Sequence, residues 1–399
     1  MPIGESVDLC GLENESSMIS NGFLAENPID DVIETYLGDI LGDEKYQEYG
    51  NLLPIIIKRL DIGDRLSVQI HPDDETAMNM YDSYGKSEIW YVTDADPDAK
   101  IWVGFNRDMT ATEVYNKCKD GSIIEDMNLF HPKKGDFFMI HAGTPHACGD
   151  GVRIFEISEA SDITYRLYDW DKERKAKGMV YTPRETHLDL SLDVIDYRKL
   201  DLAENTGNVF DTCSCGCHDH AADTTQRHDS SKMIADDPHF RIRHFTINDK
   251  MHIYSKEFDS FITYSVIEGA AHIEYNGQNY ELVKGDSVLI PAALEDFILA
   301  PDALNTEIVE CYLPKTEEHD DYINEGVPFR EEGVNDDEEF DEDYEEEGCS
   351  CGCHDHHDHD HCDCGHDHDD CDCHHGHDEH EGELSRGSQG RSPLDFFSK

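Results

Sequence analysis

The clearest pattern along the chain is a strict alternation of polar and apolar residues between positions 65 and 71. Successive side chains of a β-strand point to opposite faces, so this stretch predicts a strand with an apolar back and a polar front. The polar front is formed by Ser67, Gln69 and His71. Short apolar runs predict four further strands, at 52–58, 86–93, 137–140 and 152–158.

Helical spacing interrupts these strands at three places. Residues 27–50 carry apolar side chains on one helical face and begin with Asn27-Pro28, which is typical of a cap and first turn. Residues 73–84 and 110–129 also predict helices. The first 200 residues are therefore expected to form a strand-rich domain with helical insertions.

The second half of the chain has a different pattern. Residues 211–236 are polar and predict a linker or a long loop. Short strands return between Phe240 and Leu313 and are separated by turns, of which Asn276-Gly277 is a hairpin signal. Such regularly spaced short strands are typical of β-barrels and sandwiches. Beyond about residue 330 no apolar periodicity remains, and we expect disorder in the absence of metal.

Charge restricts the partners that the chain is expected to bind. Its 399 residues include 89 acidic and 32 basic side chains, which give a formal net charge of −57. A chain this acidic repels phosphate backbones and anionic lipids, so no nucleic acid and no membrane is expected as a partner. The apolar runs are too short to span a bilayer, and the first basic residue is Lys45, so no leader peptide is predicted.

The 14 cysteines are unevenly distributed. Seven lie within 349–373 and three within 213–217, and both groups are bunched with histidines. This bunching is typical of metal binding by reduced thiolates and unlike the spaced cysteines of disulfide-bonded secreted domains. We therefore expect a cytoplasmic protein.

One octapeptide, Cys-Ser-Cys-Gly-Cys-His-Asp-His, occurs twice, at 213–220 and at 349–356. Thiolates and imidazoles at this density bind Zn²⁺, Ni²⁺ or Cu⁺. Cys-x-Cys spacing is too tight for an ordinary zinc-finger knuckle and favours flexible binding of several ions. We expect both segments to buffer or deliver zinc. The predicted ligands of the two segments are Cys213, Cys215, Cys217, His218, His220, Cys349, Cys351, Cys353, His354 and His356.

A second group of candidate ligands lies on the predicted strands of the first half. Gln69 and His71 share one strand face, Glu88 lies on a later strand, and His146 follows a turn. Three neutral donors and one carboxylate would hold Zn²⁺ with a net charge of about +1, which suits a metal that polarises a carbonyl. The spacing alone is equally compatible with ordinary strand and loop residues.

Longer motifs around these residues carry a resemblance to a known family. The stretches Leu66-Ser-Val-Gln-Ile-His-Pro-Asp-Asp-Glu75 and Gly85-Lys-Ser-Glu-Ile-Trp-Tyr91 resemble the metal-binding strands of type I mannose-6-phosphate isomerases. Ala142-Gly-Thr-Pro-His-Ala147 and residues 156–171 resemble that family's second signature. The resemblance is to the short bacterial form and runs from about Gly4 to Leu313.

The resemblance implies a mainly β fold with two cupin (jelly-roll) barrels, helical insertions and a disordered acidic tail. The expected domains are a catalytic zinc-binding cupin at 1–200, a linker at 201–239, a degenerate metal-free cupin at 240–315 and a Cys/His-rich tail at 316–399. The first barrel has the pattern of the second cupin motif, with His141 at the usual proline. In the second barrel Asp296 stands at the usual histidine and Ala293 at the usual glycine.

The resemblance also assigns residues to roles. It implies one zinc ion on Gln69, His71, Glu88 and His146, with Arg166 as the catalytic arginine and Ser67, Lys86 and Glu156 lining the substrate pocket. The family interconverts mannose 6-phosphate and fructose 6-phosphate through a cis-enediol, so the expected partner is a small sugar phosphate. Both Glu156 and Lys86 are candidates for the base that moves the proton.

Two other functions are compatible with these observations. One is a metal-buffering protein on a catalytically inactive cupin scaffold. The other is a related cupin isomerase that acts on a different sugar phosphate. The sequence leaves open whether the chain forms a homodimer.

Overall fold

The computed structural model describes residues 3–170, 184–210, 230–256 and 258–315, and these form a mainly β protein, as predicted. The helices are α1 (Ile29–Tyr36), α2 (Gly38–Leu41), α3 (Asp43–Tyr49), α4 (Asp74–Tyr81), α5 (Ala111–Asp120), α6 (Leu188–Val194) and α7 (Leu202–Asn205). The strands of the first half are β1 (Ile3–Leu9), β2 (Ile55–Ile62), β3 (Val68–Ile70), β4 (Glu88–Ala95), β5 (Lys100–Phe105), β6 (Met127–Phe130), β7 (Asp136–Ile140), β8 (His146–Gly149), β9 (Val152–Glu159), β10 (Tyr165–Tyr168) and β11 (Thr206–Asn208). Those of the second half are β12 (Ser230–Asp236), β13 (Arg241–Ile247), β14 (Met251–Tyr254), β15 (Ile262–Glu268), β16 (Ala270–Tyr275), β17 (Gln278–Val283), β18 (Ser287–Ile290), β19 (Asp296–Pro301) and β20 (Thr306–Tyr312).

The first barrel consists of two sheets that face each other across an apolar interior. The strand order is β1-β2-β9-β4-β7-β11 in one sheet and β10-β3-β8-β5-β6 in the other. Alternate residues of the strands fill the space between them, including Trp90, Val92, Phe138 and Ile154. A separate apolar cluster joins the outer face of the five-stranded sheet to α5 and α6. Helices α5 and α6 therefore cover this sheet and leave the interior to the strands.

The second barrel repeats this architecture with fewer strands. Its sheets have the orders β12-β13-β20-β15-β18 and β14-β19-β16-β17, and the predicted Asn276-Gly277 turn joins β16 to β17. The outer face of its five-stranded sheet packs against the outer face of the six-stranded sheet of the first barrel. Side chains such as Tyr91, Phe155, Phe240 and Phe261 form one buried cluster between the barrels. The prediction of two cupin-type barrels is confirmed.

Several element bounds differ from those that the pattern predicts. The helix expected over 27–50 is three short helices, because Leu37 and Gly42 adopt positive φ angles of 55° and 100°. The last part of the helix expected over 110–129 is a 3₁₀ turn, Ser122–Asp126, followed by β6. The segment expected as a linker, 201–239, includes β11, which pairs with the first barrel, and β12, which pairs with the second. No helix in the described ranges is long and apolar enough to cross a membrane.

Gly42 joins the helical insertion to the second barrel. The carboxylate of Asp259 accepts hydrogen bonds from the backbone N–H groups of Asp43 (3.0 Å) and Glu44 (3.1 Å) at the start of α3. A Cβ atom at position 42 would overlap the backbone carbonyl of Asp259. Gly42 therefore meets two demands at once, a positive φ and a close approach of two backbones.

We predict that Gly42→Ala lowers the free energy of unfolding by about 3 kcal/mol, because backbone strain adds to a steric clash that the second barrel must relieve. Urea unfolding of the purified variant measures this loss. Gly50→Ala is the matched control, since Gly50 also has a positive φ (59°) but open space around its Cβ position. It should cost only about 1 kcal/mol, and equal losses in the two variants would contradict the steric part of the prediction.

Candidate metal centre and active site

Three strands of the first barrel bring the predicted ligands together. Gln69 of β3 lies directly opposite His146, the first residue of β8. His71 follows β3 by one residue, and Glu88 is the first residue of β4 in the facing sheet. Donor atoms of His71, Glu88 and His146 all lie within 4.8 Å of one another. These four side chains therefore converge at one end of the barrel interior, although the other three come from the sheet opposite Glu88.

Backbone carbonyl groups fix the orientation of both imidazole rings. His71 Nδ1 lies 2.7 Å from the carbonyl oxygen of Ile163, and His146 Nδ1 lies 2.9 Å from that of Thr144. A carbonyl can only accept, so Nδ1 carries the proton and Nε2 keeps its lone pair in each ring. Both Nε2 atoms face Glu88, at 3.6 Å for His71 and 3.3 Å for His146. This arrangement is typical of histidines prepared as metal ligands.

Burial and charge set the protonation states of this group. Burial lowers the pKa of His71 to about 3 and also lowers that of His146, so both rings are neutral at neutral pH. Burial acts to raise the pKa of Glu88, but Lys86 and the two histidines outweigh it and lower the pKa to about 2. Two neutral imidazoles and one carboxylate are thus available as ligands without the release of a proton from these groups.

Gln69 contacts the same centre through its amide. Its Nε2 atom lies 3.3 Å from His146 Nε2, and its Oε1 atom accepts a hydrogen bond of 3.3 Å from the hydroxyl of Ser67. Oxygen is the amide atom that binds a cation, so Gln69 would bind one only after rotation of its amide plane. Its predicted neighbour Ser67 is 1 % exposed and holds the amide in the orientation that the structure shows.

Two charged side chains continue the polar interior beyond Glu88. Lys86 Nζ lies 3.4 Å from Glu88 Oε2 and 3.7 Å from Glu156 Oε1. Burial acts to lower the pKa of Lys86, but Glu156 and Glu88 outweigh it and raise the pKa. Burial, with the nearby charge of Glu88, raises the pKa of Glu156 to about 7. Lys86 is thus held as a cation, while Glu156 can exchange a proton near neutral pH.

Arg166 reaches the centre from the edge strand of the same sheet as Gln69. The two residues are direct partners on β10 and β3, so their side chains project from the same face. Arg166 Nε is buried and has no hydrogen-bond partner among the described residues. The structure therefore brings together seven of the eight residues that the sequence placed at this site, and it places the eighth, Arg166, opposite Gln69. The predicted ligands within 213–220 and 349–356 lie outside the described residues.

Three residues at the site were not predicted. Trp90 donates from Nε1 to Glu156 Oε2 (3.1 Å), and Glu159 Oε2 accepts from the backbone N–H of Ser87 at 2.6 Å. Trp90 and Glu159 both lie within the quoted motifs. A glutamate directly after the apolar strand 152–158 could have indicated a role for Glu159. His239, which contacts Glu159, gave no signal because its partner is 80 positions away.

Comparisons with known proteins show what the chain is similar to. A family model described as phosphomannose isomerase type I, catalytic domain, matches residues 14–87. A second, described as mannose-6-phosphate isomerase, cupin domain, matches residues 231–303. The chain is therefore similar to the type I mannose-6-phosphate isomerases, as its motifs predicted. The prediction that it is an enzyme, an isomerase, is likewise confirmed.

Bacterial members of this family match most of the chain. It is 29 % identical over 301 residues to mannose-6-phosphate isomerase ManA of Bacillus subtilis, which covers 74 % of this chain and 86 % of that protein. It is 27 % identical over 294 residues to the mannose-6-phosphate isomerase of Streptococcus mutans, with coverages of 74 % and 84 %. These matches confirm the predicted resemblance to short bacterial members.

Solved structures show the same fold. The crystal structure of the mannose 6-phosphate isomerase from Bacillus subtilis has a TM-score of 0.62 at 24 % identity and covers 77 % of this chain and 89 % of that one. A putative mannosephosphate isomerase from Archaeoglobus fulgidus has a TM-score of 0.57 at 20 % identity, with coverages of 78 % and 88 %. The family's barrel architecture is therefore preserved in this chain.

Proposed function

We propose that the protein is a zinc-dependent isomerase that interconverts mannose 6-phosphate and fructose 6-phosphate through a cis-enediolate. The observation that carries this proposal is the convergence of His71, Glu88 and His146 beside the charged pair Lys86 and Glu156, inside a barrel of the isomerase family. An aldose–ketose isomerase needs these two things together, a site for a cation and a group that can accept and return a proton.

The residues at the centre fit a divalent cation. Both His71 Nε2 and Glu88 Oε1 are buried and lack hydrogen-bond partners among the described residues, which is costly unless a ligand satisfies them. Two imidazole nitrogens and a carboxylate oxygen are donors that Zn²⁺ prefers. We propose that His71, Glu88 and His146 hold the ion, with Gln69 as the fourth protein ligand. When bound, zinc would supply positive charge that polarises the substrate carbonyl.

The side chains around this centre have separate proposed roles in proton transfer, charge stabilisation and substrate binding. We propose that Glu156 takes the proton from C2 of mannose 6-phosphate and returns it to C1, since its pKa of about 7 allows both steps near neutral pH. Lys86 keeps its proton and is better suited to face the negative charge that develops on the enediolate. Arg166, whose Nε atom is buried without a hydrogen-bond partner among the described residues, is proposed to bind a substrate oxygen. Ser67 orients the amide of Gln69.

A coupled assay tests the proposed activity. Purified protein supplied with mannose 6-phosphate and zinc should produce fructose 6-phosphate, and the same preparation should carry out the reverse reaction. Assays with other sugar phosphates distinguish a related isomerase, which would prefer one of them. No turnover of any sugar phosphate by a folded, zinc-loaded chain would contradict the proposal and favour the metal-buffering alternative.

We propose a second function for the two Cys/His segments, which lie outside the described residues. The observation in its favour is the letter-for-letter repeat of eight residues at 213–220 and 349–356. A solvated acidic tail needs no cysteine, whereas soft metal ions bind thiolates strongly. The segments would store zinc and return it to the first barrel when zinc is scarce.

Deleting residues 345–383 is expected to leave the enzymatic activity in excess zinc unchanged. When zinc is withdrawn, the shortened protein should lose its activity sooner than the full chain. Zinc-loaded proteins are diluted into a chelator, and the full chain should keep its activity several-fold longer because its tail releases zinc as the free ion falls. A full-length chain with all seven cysteines of 349–373 replaced by serine is the control for charge and length. Equal survival of all three proteins would remove the delivery function.

Other expectations rest on the sequence and the family. A cytoplasmic location agrees with the proposed metabolic activity and with reduced thiolates. The absence of nucleic-acid or membrane partners and the state of assembly stay predictions.

A further inference from the structure

A turn of the second barrel, residues Asp237–His239 between β12 and β13, contacts the first barrel beside its proposed metal centre. Asp237 is buried, and its Oδ1 atom accepts a hydrogen bond of 3.0 Å from the backbone N–H of His239. Its Oδ2 atom lies 3.1 Å from Nδ1 of His141, at the start of the loop that leads to His146. The turn is thus fixed to the first barrel at one end by an ion pair.

The other end of the turn contacts a buried carboxyl group. His239 Nδ1 lies 3.1 Å from Glu159 Oε1, and Glu159 is only 5 % exposed at the end of β9. A buried carboxylate without a counter-charge is strongly disfavoured, and removing one partner of such a pair leaves that cost uncompensated. His239 belongs to the second barrel, so the second barrel supplies the imidazole that pairs with Glu159.

Glu159 in turn holds the residue next to a proposed ligand. Its Oε2 atom accepts a hydrogen bond of 2.6 Å from the backbone N–H of Ser87, and its own N–H donates to the carbonyl of Ser87 at 3.1 Å. The Ser87 hydroxyl accepts from the backbone N–H of Ala142 at 3.3 Å. Ser87 immediately precedes Glu88, so these bonds fix where β4 begins and therefore where the Glu88 carboxylate lies.

Donor atoms of Asp74, Glu159 and His239 lie within 4.8 Å of one another, but the ring of His239 contacts the two carboxylates through different nitrogens. Its Nδ1 atom faces Glu159, while its Nε2 atom lies 3.8 Å from Asp74 Oδ2 on the opposite side of the ring. A ligating histidine offers one lone pair to the ion, whereas this ring presents each nitrogen to a different carboxylate. Asp74 and Glu159 also accept backbone hydrogen bonds from Gly85 and Ser87.

We propose that His239 is a positioning residue for the metal centre, through which the second barrel holds Glu88 in place by way of Glu159 and Ser87. This inference rests on the metal site of the proposed function. Groups that orient a ligand commonly change metal affinity 10- to 100-fold when they are removed. The second barrel would then have a direct part in metal binding although its own motif has lost the usual histidine at Asp296.

Hydrogen exchange measured by mass spectrometry follows zinc binding at this site separately from binding at the Cys/His segments, because the two regions lie in different peptides. The full chain is held at a series of chelator-buffered Zn²⁺ concentrations, and protection is followed in peptides that span 86–92 and 144–149. We expect His239→Ala to raise the Zn²⁺ concentration of half-protection roughly tenfold. Exchange in peptides from β15, inside the second barrel, should not change. His252→Ala is the matched control, because it removes a His–Asp pair whose partner, Asp296, lies within the second barrel.

A second variant separates positioning from general damage. Glu159→Gln removes the buried charge but keeps an oxygen that can accept from Ser87, so His239→Ala should change half-protection less than twofold in the Glu159→Gln background. Equal half-protection of wild type and His239→Ala would overturn the inference, as would an equal loss in His252→Ala. If the alanine variant unfolds, His239→Gln takes its place in the same comparison. Absence of zinc protection in the wild type would contradict the metal site itself.

Discussion

Replacing His146 with alanine is expected to abolish zinc binding in the first barrel and to lower kcat/KM at least roughly 10³-fold. His146 is fully buried, and its Nε2 atom faces Glu88 at 3.3 Å. Its loss removes one of the two imidazole donors, so His71 and Glu88 no longer hold the ion on their own. A metal that polarises a carbonyl contributes several kcal/mol to catalysis, and about 4 kcal/mol corresponds to 10³-fold in rate.

Steady-state kinetics in excess zinc measure this loss, and circular dichroism verifies that the barrel remains folded. His146→Gln provides a second test with a side chain closer in volume, since alanine leaves a cavity beside Trp90. His131→Ala, at an exposed position, is the control and should retain wild-type kinetics. Turnover that survives in both His146 variants would show that the reaction does not need this ligand.

The second large effect concerns the proton transfer. We predict that Glu156→Gln lowers kcat roughly 10³-fold, because general base catalysis typically contributes 10²–10⁴-fold. In the wild type, Glu156 must be deprotonated to accept a proton from carbon, so activity should rise with pH through its pKa. Burial and Glu88 raise that pKa from 4.5 to about 7. A cation bound at Glu88 offsets its repulsion, so the midpoint should lie between about 4.5 and about 7.

A pH profile of kcat/KM for three variants distinguishes Glu156 from Lys86. Glu156→Gln should lack the acid limb, whereas Lys86→Gln should keep it and move it to higher pH, because Lys86 lowers the pKa of Glu156. Glu75→Gln, on the exposed side of α4, should leave the profile unchanged. An acid limb that persists in Glu156→Gln but disappears in Lys86→Gln would identify Lys86 as the base instead.

The arrangement of the proposed site was largely predictable because the positions of its side chains follow local rules. Period-two alternation places Ser67, Gln69 and His71 on one face, and the same rule places Lys86 beside Glu88. The contact of 3.4 Å between Lys86 and Glu88 agrees with it. Local patterns do not show which strands pair, because pairing joins distant segments such as Gln69 and His146. The expectation that these residues meet came from the motif resemblance.

Features that depend on contacts between barrels were not predictable. The helix ends at Leu37 and again at Gly42, although the apolar residues continue at helical spacing. At Gly42 the cause is the close approach of the backbone of Asp259 in the second barrel. The strand Ser230–Asp236 lies in a polar stretch because it is an edge strand whose neighbour is β13 alone. His239 acts through a residue 80 positions earlier, and no local pattern connects the two.

Anomalous diffraction at the zinc edge, from crystals of the full chain grown with Zn²⁺, tests the metal centre most directly. We predict a peak within bonding distance of His71 Nε2, His146 Nε2 and a carboxylate oxygen of Glu88, at about 2.0–2.2 Å, which also shows whether the Gln69 oxygen has turned toward the ion. A map with zinc peaks elsewhere in the chain and none between these three side chains would contradict the proposed centre.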